Sequence, residues 1–200
     1  MSLDDLLANR DVARLAHALQ QTPGKPVEPE AHCTWAAIAV TLRMGPSGEP
    51  ELLMIKRAEH AGDPWSGHVA CPGGRMEPGD ADLAATAIRE THEETGVDLG
   101  RVGRILGTLD DLYPRTPLLP TIVIRPFVAA APSALEITAS GEVASWFWVP
   151  LSAVRDARAW GTNSVVVRGA ARQERTFTYR EHLVWGLTER VLRQLVQLVR

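Results

Sequence analysis

Three glutamates stand within five residues of one another in the stretch RETHEETGV, which covers residues 89–97. On a helix of about 3.6 residues per turn, Glu90, Glu93 and Glu94 fall within about 60° of a common direction. Like charges this close repel, at a cost of about 0.3 kcal/mol per i,i+4 pair. A hard divalent cation such as Mg²⁺ takes oxygen ligands and would remove this repulsion. The spacing therefore indicates a metal site, although a solvated face with an Arg89–Glu93 ion pair is the simpler interpretation of the three glutamates alone.

The loop before these glutamates decides between the two interpretations. Pro72 stiffens its entry, Gly73 and Gly74 permit a tightly bent backbone, and Gly79 closes a second turn before Asp80. A backbone that bends back beside a carboxylate cluster can offer a carbonyl oxygen to the same ion. An ordinary glycine turn capped by Asp80 is the alternative. Loop, helix and carboxylates in one stretch favour the metal site.

The glutamates must be held by a helix that packs on another layer. Residues 80–95 have a helical pattern that ends at Gly96. Small and apolar residues gather on the side of this helix opposite the glutamates. They are Ala81, Ala84, Ile88, Thr91 and Thr95. This face is predicted to pack closely on a sheet, so that the carboxylates point into a shared space.

The rest of the chain supplies the sheet. An amphipathic helix is predicted at 2–20 and a proline-rich arm at 21–30, followed by a hairpin of strands at 34–44 and 51–58. Further elements are predicted as strands at 101–113, 121–131 and 144–150, a charged turn segment near 168–180 and a final helix at 182–199. This order indicates an α+β fold with a mixed sheet.

Composition narrows the class of protein. The chain has 200 residues, a formal net charge of −3 and 22% charged residues, which gives no sign of a basic nucleic-acid-binding surface. Cys33 and Cys71 lie far apart and show no metal-ligand spacing, and no apolar run approaches the roughly 18 residues of a membrane span. We therefore expect a reduced, cytoplasmic protein that binds neither nucleic acid nor membrane.

The segment 74–97 resembles the Nudix box, written G-x5-E-x7-R-E-U-x-E-E-x-G-U with U a bulky apolar residue. Gly74 matches the first glycine, and residues 89–97 match the second half. Two departures stand out. Asp80 occupies the place of the first glutamate, with eight residues rather than seven before Arg89, and Thr91 replaces the first apolar residue.

This resemblance implies an α/β/α sandwich with a mixed sheet over 31–200, preceded by the helix and arm of residues 1–30, and a closing helix. It also implies a metal-dependent pyrophosphohydrolase acting on a small nucleotide substrate. By resemblance, Mg²⁺ or Mn²⁺ is the cofactor. The implied metal ligands are Glu90, Glu93, Glu94 and the Gly74 carbonyl. Arg89 would orient a glutamate, and the general base would be Glu90 or Glu142 in the segment SGEVASW.

The one-residue insertion is similar to bacterial coenzyme A pyrophosphatases of the same superfamily. The matching residues in LLMIKRAEHAGDPWSGHVACPGG are Leu52, Leu53, Arg57, Gly67, Val69, Pro72, Gly73 and Gly74. Cys71 replaces a phenylalanine and Trp65 a histidine of that pattern. The implied reaction converts coenzyme A or acyl-coenzyme A to 3′,5′-ADP and (acyl-)phosphopantetheine. The alternatives are hydrolysis of a nucleotide sugar, dinucleoside polyphosphate or nucleoside triphosphate, and a Nudix module that senses a nucleotide without cleaving it.

Substrate contacts are predicted from residue type alone. Arg57, Lys56 and His68 are candidates for binding phosphates, and Trp65 and Tyr113 for stacking on a base. Ordinary strand-edge charges and packing aromatics are the alternative.

Other residues near the motifs have assignments of their own. Asp110 and Asp111 either face the cleft or solvate a turn. Trp146, Trp148 and Trp185 are assigned to the core or to the interface of a homodimer, and Cys71 is assigned to a small buried position rather than a nucleophile.

Overall fold

The computed structural model describes residues 1–28, 32–60, 62, 65–114, 121–167 and 169–199. The helices are α1 (Leu3–Ala8), α2 (Arg10–Gln21), α3 (Leu83–Thr95), α4 (Leu99–Val102), α5 (Leu151–Arg155) and α6 (Gly186–Leu198). The strands are β1 (Thr34–Met44), β2 (Pro50–Arg57), β3 (Val69–Ala70), β4 (Gly73–Arg75), β5 (Arg104–Thr108), β6 (Ile122–Ala130), β7 (Val143–Pro150), β8 (Trp160–Val167), β9 (Ala170–Tyr179) and β10 (His182–Trp185).

A seven-stranded mixed sheet occupies the centre of the described chain. Its order is β3-β2-β1-β6-β5, with β4 added beside β1 and β7 beside β2. β1 and β6 pair in parallel, whereas β1 pairs with β2 and with β4 in the antiparallel sense. The predicted hairpin of the first two strands is confirmed. The pairing of β1 with β4 brings the glycine loop to the middle of the sheet.

Helices cover both faces of this sheet. On one face α3 packs over small residues such as Ala37 and Ala39, which meet Ala87 of the helix and let it approach closely. On the other face the buried side chains of α1, α2 and α6 join those of β1 and β2 in a larger apolar cluster. The predicted α+β fold, an α/β/α sandwich with a mixed sheet, is confirmed.

The N-terminal helix is divided in two, which corrects the prediction of one helix over 2–20. Asn9 has an extended conformation and ends α1, and its side-chain oxygen accepts hydrogen bonds from the N–H groups of Asp11 and Val12 at the start of α2. An asparagine is a strong N-cap, so it restarts the helix where an amphipathic pattern alone would run on. Both helices still pack on the core, through Leu6 and Leu15 among others.

The arm after α2 runs back along the end of β5. The N–H of Gly24 donates to the Thr108 carbonyl oxygen at 3.1 Å. The N–H groups of Lys25 and Val27 donate to the carboxylates of Asp110 and Asp111 at 2.8 and 2.9 Å. The last residues of the predicted arm, 29 and 30, lie outside the described residues, and the division of the chain at residue 30 stays a prediction.

The segment near 168–180 was predicted wrongly as a charged turn. Its described residues contain the whole of β9, the middle strand of a separate three-stranded antiparallel sheet of order β10-β9-β8. The predicted final helix begins only at Gly186, because His182–Trp185 pairs with β9 instead. Most of the β8–β9 hairpin is exposed on both faces, with Thr176 and Phe177 among its few buried residues, so its sequence lacks the apolar alternation that indicates a strand.

The predicted strand at 101–113 is also shorter than expected. Residues 101 and 102 belong to α4, and the strand itself is Arg104–Thr108. Among the described residues, no helix is long and apolar enough to cross a membrane.

Candidate active site

Helix α3 carries the glutamates and starts later than its sequence pattern indicates. The prediction placed its start at Asp80, but the helix begins at Leu83, with Asp82 as the N-cap residue accepting from the Ala85 N–H at 2.8 Å. Gly96 ends it in the left-handed conformation, as predicted. Thr91 and Thr95 are fully buried against the sheet, also as predicted. The carboxylates consequently project from the other side of α3.

Arg89 connects this helix to the loop before it. Its guanidinium donates to both carboxylate oxygens of Asp80 at 2.9 Å, and to the Arg75 carbonyl oxygen at 2.9 Å. Its remaining amino group, Nη1, donates to Glu90 at 2.9 Å and to Glu93 at 3.0 Å. This bidentate pairing keeps the pKa of Asp80 well below its ordinary value and raises the pKa of Arg89. Both groups therefore stay charged near neutral pH, and the ion pair between them is kept.

The sequence did not predict the role of Asp80, which is to pair with Arg89. It was considered as a helix cap and as a replacement for a glutamate, whereas its carboxylate is the main partner of Arg89 and also accepts from the Thr86 hydroxyl at 2.9 Å. The signal in the sequence was its place in the box, with an arginine nine positions later.

Two glycines let the loop pass next to the carboxylates. Gly73 has φ +152°, and a Cβ on it would lie 2.3 Å from the Ala37 carbonyl oxygen. A Cβ on Gly74 would lie 2.4 Å from the carboxyl carbon of Glu90. The first contact is with backbone, so only glycine fits at residue 73, whereas a Cβ at residue 74 would require the Glu90 carboxylate to move.

Glu94 is the most buried of the three glutamates, with 3% of its surface exposed. One of its oxygens accepts from the Gly73 N–H at 2.9 Å, and the other lies 3.5 Å from Nη1 of Arg57. Burial outweighs these two partners and raises the pKa of Glu94 to about 7. The charges of Glu90 and Glu142 push it in the same direction.

Glu90 shows the same effect to a smaller degree. Burial raises its pKa above the ordinary value, and the charges of Glu93 and Glu142 add to the shift, while Arg89 opposes it. At Glu90 and Glu94, burial and the neighbouring carboxylates therefore outweigh the positive charge that Arg57 and Arg89 supply.

A cavity of about 670 Å³ opens beside these groups. The structure brings together most of the residues predicted for the site: the cavity is lined by Arg57, Trp65, His68, Gly74, Arg89, Glu90, Glu93, Glu94 and Glu142. Tyr113 and Lys56 are not lining residues, and Lys56 is exposed to solvent. Arg75 lines the cavity as well, although the sequence reasoning did not name it.

Two further predictions are decided by this geometry, and a third stays open. Trp185 was assigned to the core or an interface, but its ring lies in the cavity wall with its centroid 4.3 Å from that of His68. Cys71 is buried, as predicted, and burial raises the pKa of its thiol to about 12, which excludes a reactive thiolate. Trp146 is 42% exposed on β7, and a homodimer through such surfaces stays a prediction.

The cavity wall also contains apolar side chains. Ile38, Ile122, Ile124, Leu112 and Val191 line it together with the carboxylates. The cavity can therefore accept a ligand that has both charged and uncharged parts.

The oxygen atoms of Glu90, Glu93 and Glu94 are donors of the kind that a hard divalent cation prefers. A cation would also relieve the mutual repulsion of these carboxylates. In the arrangement described, however, no three Asp, Glu, His or Cys side chains of the described residues converge to hold an ion. Arg89 lies against Glu90 and Glu93, and Glu94 faces the Gly73 N–H. Metal binding would exchange part of these contacts for contacts to the ion.

A family model described as the NUDIX domain matches residues 34–168. A Photorhabdus laumondii protein named "Uncharacterized Nudix hydrolase NudL" is 32% identical over 184 residues, covering 90% of this chain and 92% of that protein. The protein of the same name from Yersinia enterocolitica is 30% identical over 197 residues, covering 96% of this chain and 95% of that one.

Two solved structures share the fold. A NUDIX hydrolase from Alicyclobacillus acidocaldarius has a TM-score of 0.56 at 21% identity, over 86% of this chain and 93% of that chain. A MutT/nudix family protein from Enterococcus faecalis has a TM-score of 0.55 at 15% identity, over 98% of this chain and 73% of that chain.

Proposed function

The chain belongs to the Nudix family and is a Nudix hydrolase, and we propose that it hydrolyses coenzyme A or an acyl-coenzyme A to 3′,5′-ADP and (acyl-)phosphopantetheine with Mg²⁺ or Mn²⁺. The observation that carries this proposal is the mixed lining of the 670 Å³ cavity, which combines the three glutamates with apolar side chains such as Ile122, Ile124 and Val191. An uncharged pantetheine arm suits the apolar wall better than a second nucleotide or a sugar does. The residues matched to the coenzyme A subgroup, such as Leu52, Leu53 and Arg57, support the same substrate.

The proposed reaction is attack of water on one phosphorus of the diphosphate. A P–O bond forms to the water oxygen, the P–O bond to the bridging oxygen breaks, and one water proton passes to a base. Nudix hydrolases generally use divalent metals. The ion would neutralise phosphate charge and lower the pKa of a bound water. Glu90, Glu93, Glu94 and the Gly74 carbonyl are the proposed ligands.

Arginines and a further glutamate around the proposed metal ligands also have proposed roles. Arg89 positions Glu90 and Glu93 through its two short hydrogen bonds. Arg57 and Arg75, both in the cavity lining, are the proposed phosphate contacts. The candidates for the base are Glu90 and Glu142, which line the same cavity and whose charges influence each other.

The retained carboxylates and the hydrolase relatives favour an enzyme over a nucleotide-sensing module. Substrate identity is tested by incubating the protein and Mg²⁺ with coenzyme A, acetyl-coenzyme A, NADH, ADP-ribose, a diadenosine polyphosphate and nucleoside triphosphates, and separating the products by chromatography. We expect coenzyme A or its acyl derivative to have the highest kcat/KM, with 3′,5′-ADP as a product. Efficient cleavage of another compound with coenzyme A untouched would refute the proposal.

The ligand assignment has its own test in the same assay. Glu93→Gln and Glu94→Gln should each lower turnover by about a hundredfold or more, because each removes a charged oxygen ligand from the metal. Glu136→Gln, at an exposed glutamate that does not line the cavity, is the matched control and should keep full activity.

A further inference from the structure

Glu94, one of the proposed metal ligands, is held in place from two sides. Its Oε2 accepts from the Gly73 N–H at 2.9 Å, and Gly73 belongs to β4, which pairs with β1 in the central sheet. Its backbone carbonyl oxygen accepts from the Ser140 N–H at 3.0 Å. The residue is 3% exposed. A cation that binds Glu94 must therefore reach the carboxylate in its present position.

The other oxygen of this carboxylate faces a positive charge of the protein itself. Nη1 of Arg57 lies 3.5 Å from Oε1 of Glu94. Because Oε2 already accepts from Gly73, Oε1 is the oxygen that a metal ion would contact more readily. An ion there would meet the guanidinium at a short distance, and like charges repel strongly where burial weakens the screening by water. The ion and the guanidinium therefore compete for one oxygen.

Arg57 is the partner that can move. Its backbone is fixed, because its N–H donates to the His68 carbonyl oxygen at 2.9 Å and the N–H of Ala58 donates to the Glu142 carbonyl oxygen at 2.8 Å. Its side chain is 24% exposed and lines the 670 Å³ cavity. The guanidinium can thus leave Glu94 for the cavity while the sheet stays as it is.

Arg89 differs from Arg57 in this respect. Its guanidinium donates to both oxygens of Asp80 and to the Arg75 carbonyl oxygen, each at 2.9 Å. Neither of these acceptors is a proposed metal ligand, so Arg89 keeps them when an ion binds. The ion pair of Arg57 is formed with a proposed ligand itself, which is Glu94.

We propose that Arg57 takes the place of the metal ion at Glu94 and changes partner when the ion binds, moving from this carboxylate to a phosphate of the substrate. The inference rests on the proposed function, because it takes Glu94 as a metal ligand. It adds that metal binding prepares the arginine for the substrate. Guanidinium groups bind phosphate through charge-assisted, often bidentate hydrogen bonds, so Arg57 exchanges one anionic partner for another.

The first test measures metal binding without substrate or turnover. Mn²⁺ is titrated at pH 8 into the unaltered protein and into Arg57→Gln, and the heat is followed by calorimetry. Arg57→Gln should bind Mn²⁺ about fivefold more tightly, because the ion no longer has to displace a paired cation, and an ion pair of modest strength is worth about this factor. Arg57→Met removes the same charge and gives the same comparison if the glutamine variant does not fold.

The second test measures binding of a diphosphate that water cannot cleave. Methylenediphosphonate is titrated in the presence of saturating Mn²⁺, and here Arg57→Gln should bind roughly fivefold less tightly, because a charged phosphate contact is lost. The change thus has opposite signs for the metal and for the diphosphate. Arg104→Gln, at an exposed arginine of β5 that does not line the cavity, is the matched control and should equal the unaltered protein in both titrations.

The signs of the two changes separate the possible roles of Arg57. Weaker Mn²⁺ binding by Arg57→Gln would show that the arginine only holds Glu94 in place, and unchanged Mn²⁺ binding would show that it serves the substrate alone. Either result would overturn the inference and leave the metal site standing. Unchanged Mn²⁺ affinity in Glu94→Gln would refute the ligand assignment and the exchange with it. Failure to cleave coenzyme A would affect neither titration, because the probe carries only the diphosphate.

Discussion

At the scale of single residues, the site balances a small number of charges. Arg89 holds Asp80, Glu90 and Glu93 together, and its partners on both sides of the loop make it the link between the loop and α3. Glu94 has only the Gly73 N–H and a more distant Arg57 to offset its burial. Arg89 thus keeps Glu90 and Glu93 in place, whereas Glu94 is short of positive charge.

Replacing Arg89 by Gln tests its positioning role. Glu90 and Glu93 lose their shared donor, and a residue that orients metal ligands is typically worth about 10–100-fold in activity or metal affinity. We expect kcat to fall by about that factor, with a higher Mg²⁺ concentration at half-maximal rate. Initial rates over a Mg²⁺ series measure both quantities. Arg101→Gln on α4, which is exposed, should match the unaltered protein, and an unchanged Mg²⁺ dependence in the Arg89 variant would contradict the assignment.

Glu94 makes the metal-free protein sensitive to pH. Its pKa is raised from 4.5 to about 7 on folding, so its contribution to stability is present below about pH 4.5 and is lost as the pH rises through 7. A shift of this size corresponds to about 3 kcal/mol. With a chelator present, Glu94→Gln should equal the unaltered protein near pH 4.5 and exceed it in free energy of unfolding at pH 8.

Denaturant unfolding at the two pH values, with and without Mg²⁺, measures this effect. Added Mg²⁺ at pH 8 should stabilise the unaltered protein more than the Glu94→Gln variant, because the variant has one charged ligand fewer. Parallel stability curves for the two proteins across this pH range would show that Glu94 ionises normally.

At the scale of elements, the site depends on one crossing between β4 and α3. β4 pairs with β1 through Ala37↔Gly74 and Ile38↔Gly73, and α3 lies over the same strand. The carboxylate of Glu90 occupies the space that a side chain at residue 74 would need. The place of the Glu90 carboxylate thus depends on the absence of a side chain at residue 74.

Gly74→Ala should displace Glu90 while the sheet stays intact. A Cβ at 2.4 Å from the Glu90 carboxyl carbon forces that group to move, and a displacement of about 1 Å in a catalytic group costs about a hundredfold in rate. We expect a fall of that order in kcat/KM. Gly79→Ala is the matched control, because a Cβ there meets nothing within 4 Å. Equal rates for the two alanine variants would refute the crossing argument.

At the scale of the whole molecule, the N-terminal arm is joined to the segment after β5 through Asp110 and Asp111. Asp111 is 8% exposed, accepts from the Val27 N–H and pairs with Arg125 through two hydrogen bonds of 2.8 Å. Leu112, the next residue, lines the cavity of the carboxylates. The arm, β6 and the cavity wall therefore meet at one carboxylate.

Asp111→Ala should destabilise the protein by about 2 kcal/mol. Removing one partner of a buried pair leaves the other unpaired, and the usual cost of about 3–5 kcal/mol is reduced here because Arg125 is partly exposed. Thermal unfolding measures the loss. Asp156→Ala, which breaks an exposed pair with Arg158, should leave the melting temperature unchanged. A similar melting temperature for both variants would show that the arm contributes no stability through Asp111.

The sequence by itself determined the helix of the glutamates, the glycine loop, the first hairpin and the family resemblance. Each depends on short-range spacing, such as the step from Arg89 to Glu93 or the adjacent Gly73 and Gly74, and local periodicity records such spacing directly. The division of the first helix at Asn9 was within reach of the same reasoning, since an asparagine cap is a local signal.

Only the tertiary structure decided the second sheet, the place of Trp185 and the wall of the cavity. β8 and β9 bury few side chains, so no apolar alternation marks them, and their pairing supplies the order that their sequence does not show. A cavity wall such as His68 against Trp185 joins residues far apart in the chain. Spacing carries no information about such a contact, because it exists only after the sheet and α6 have packed together.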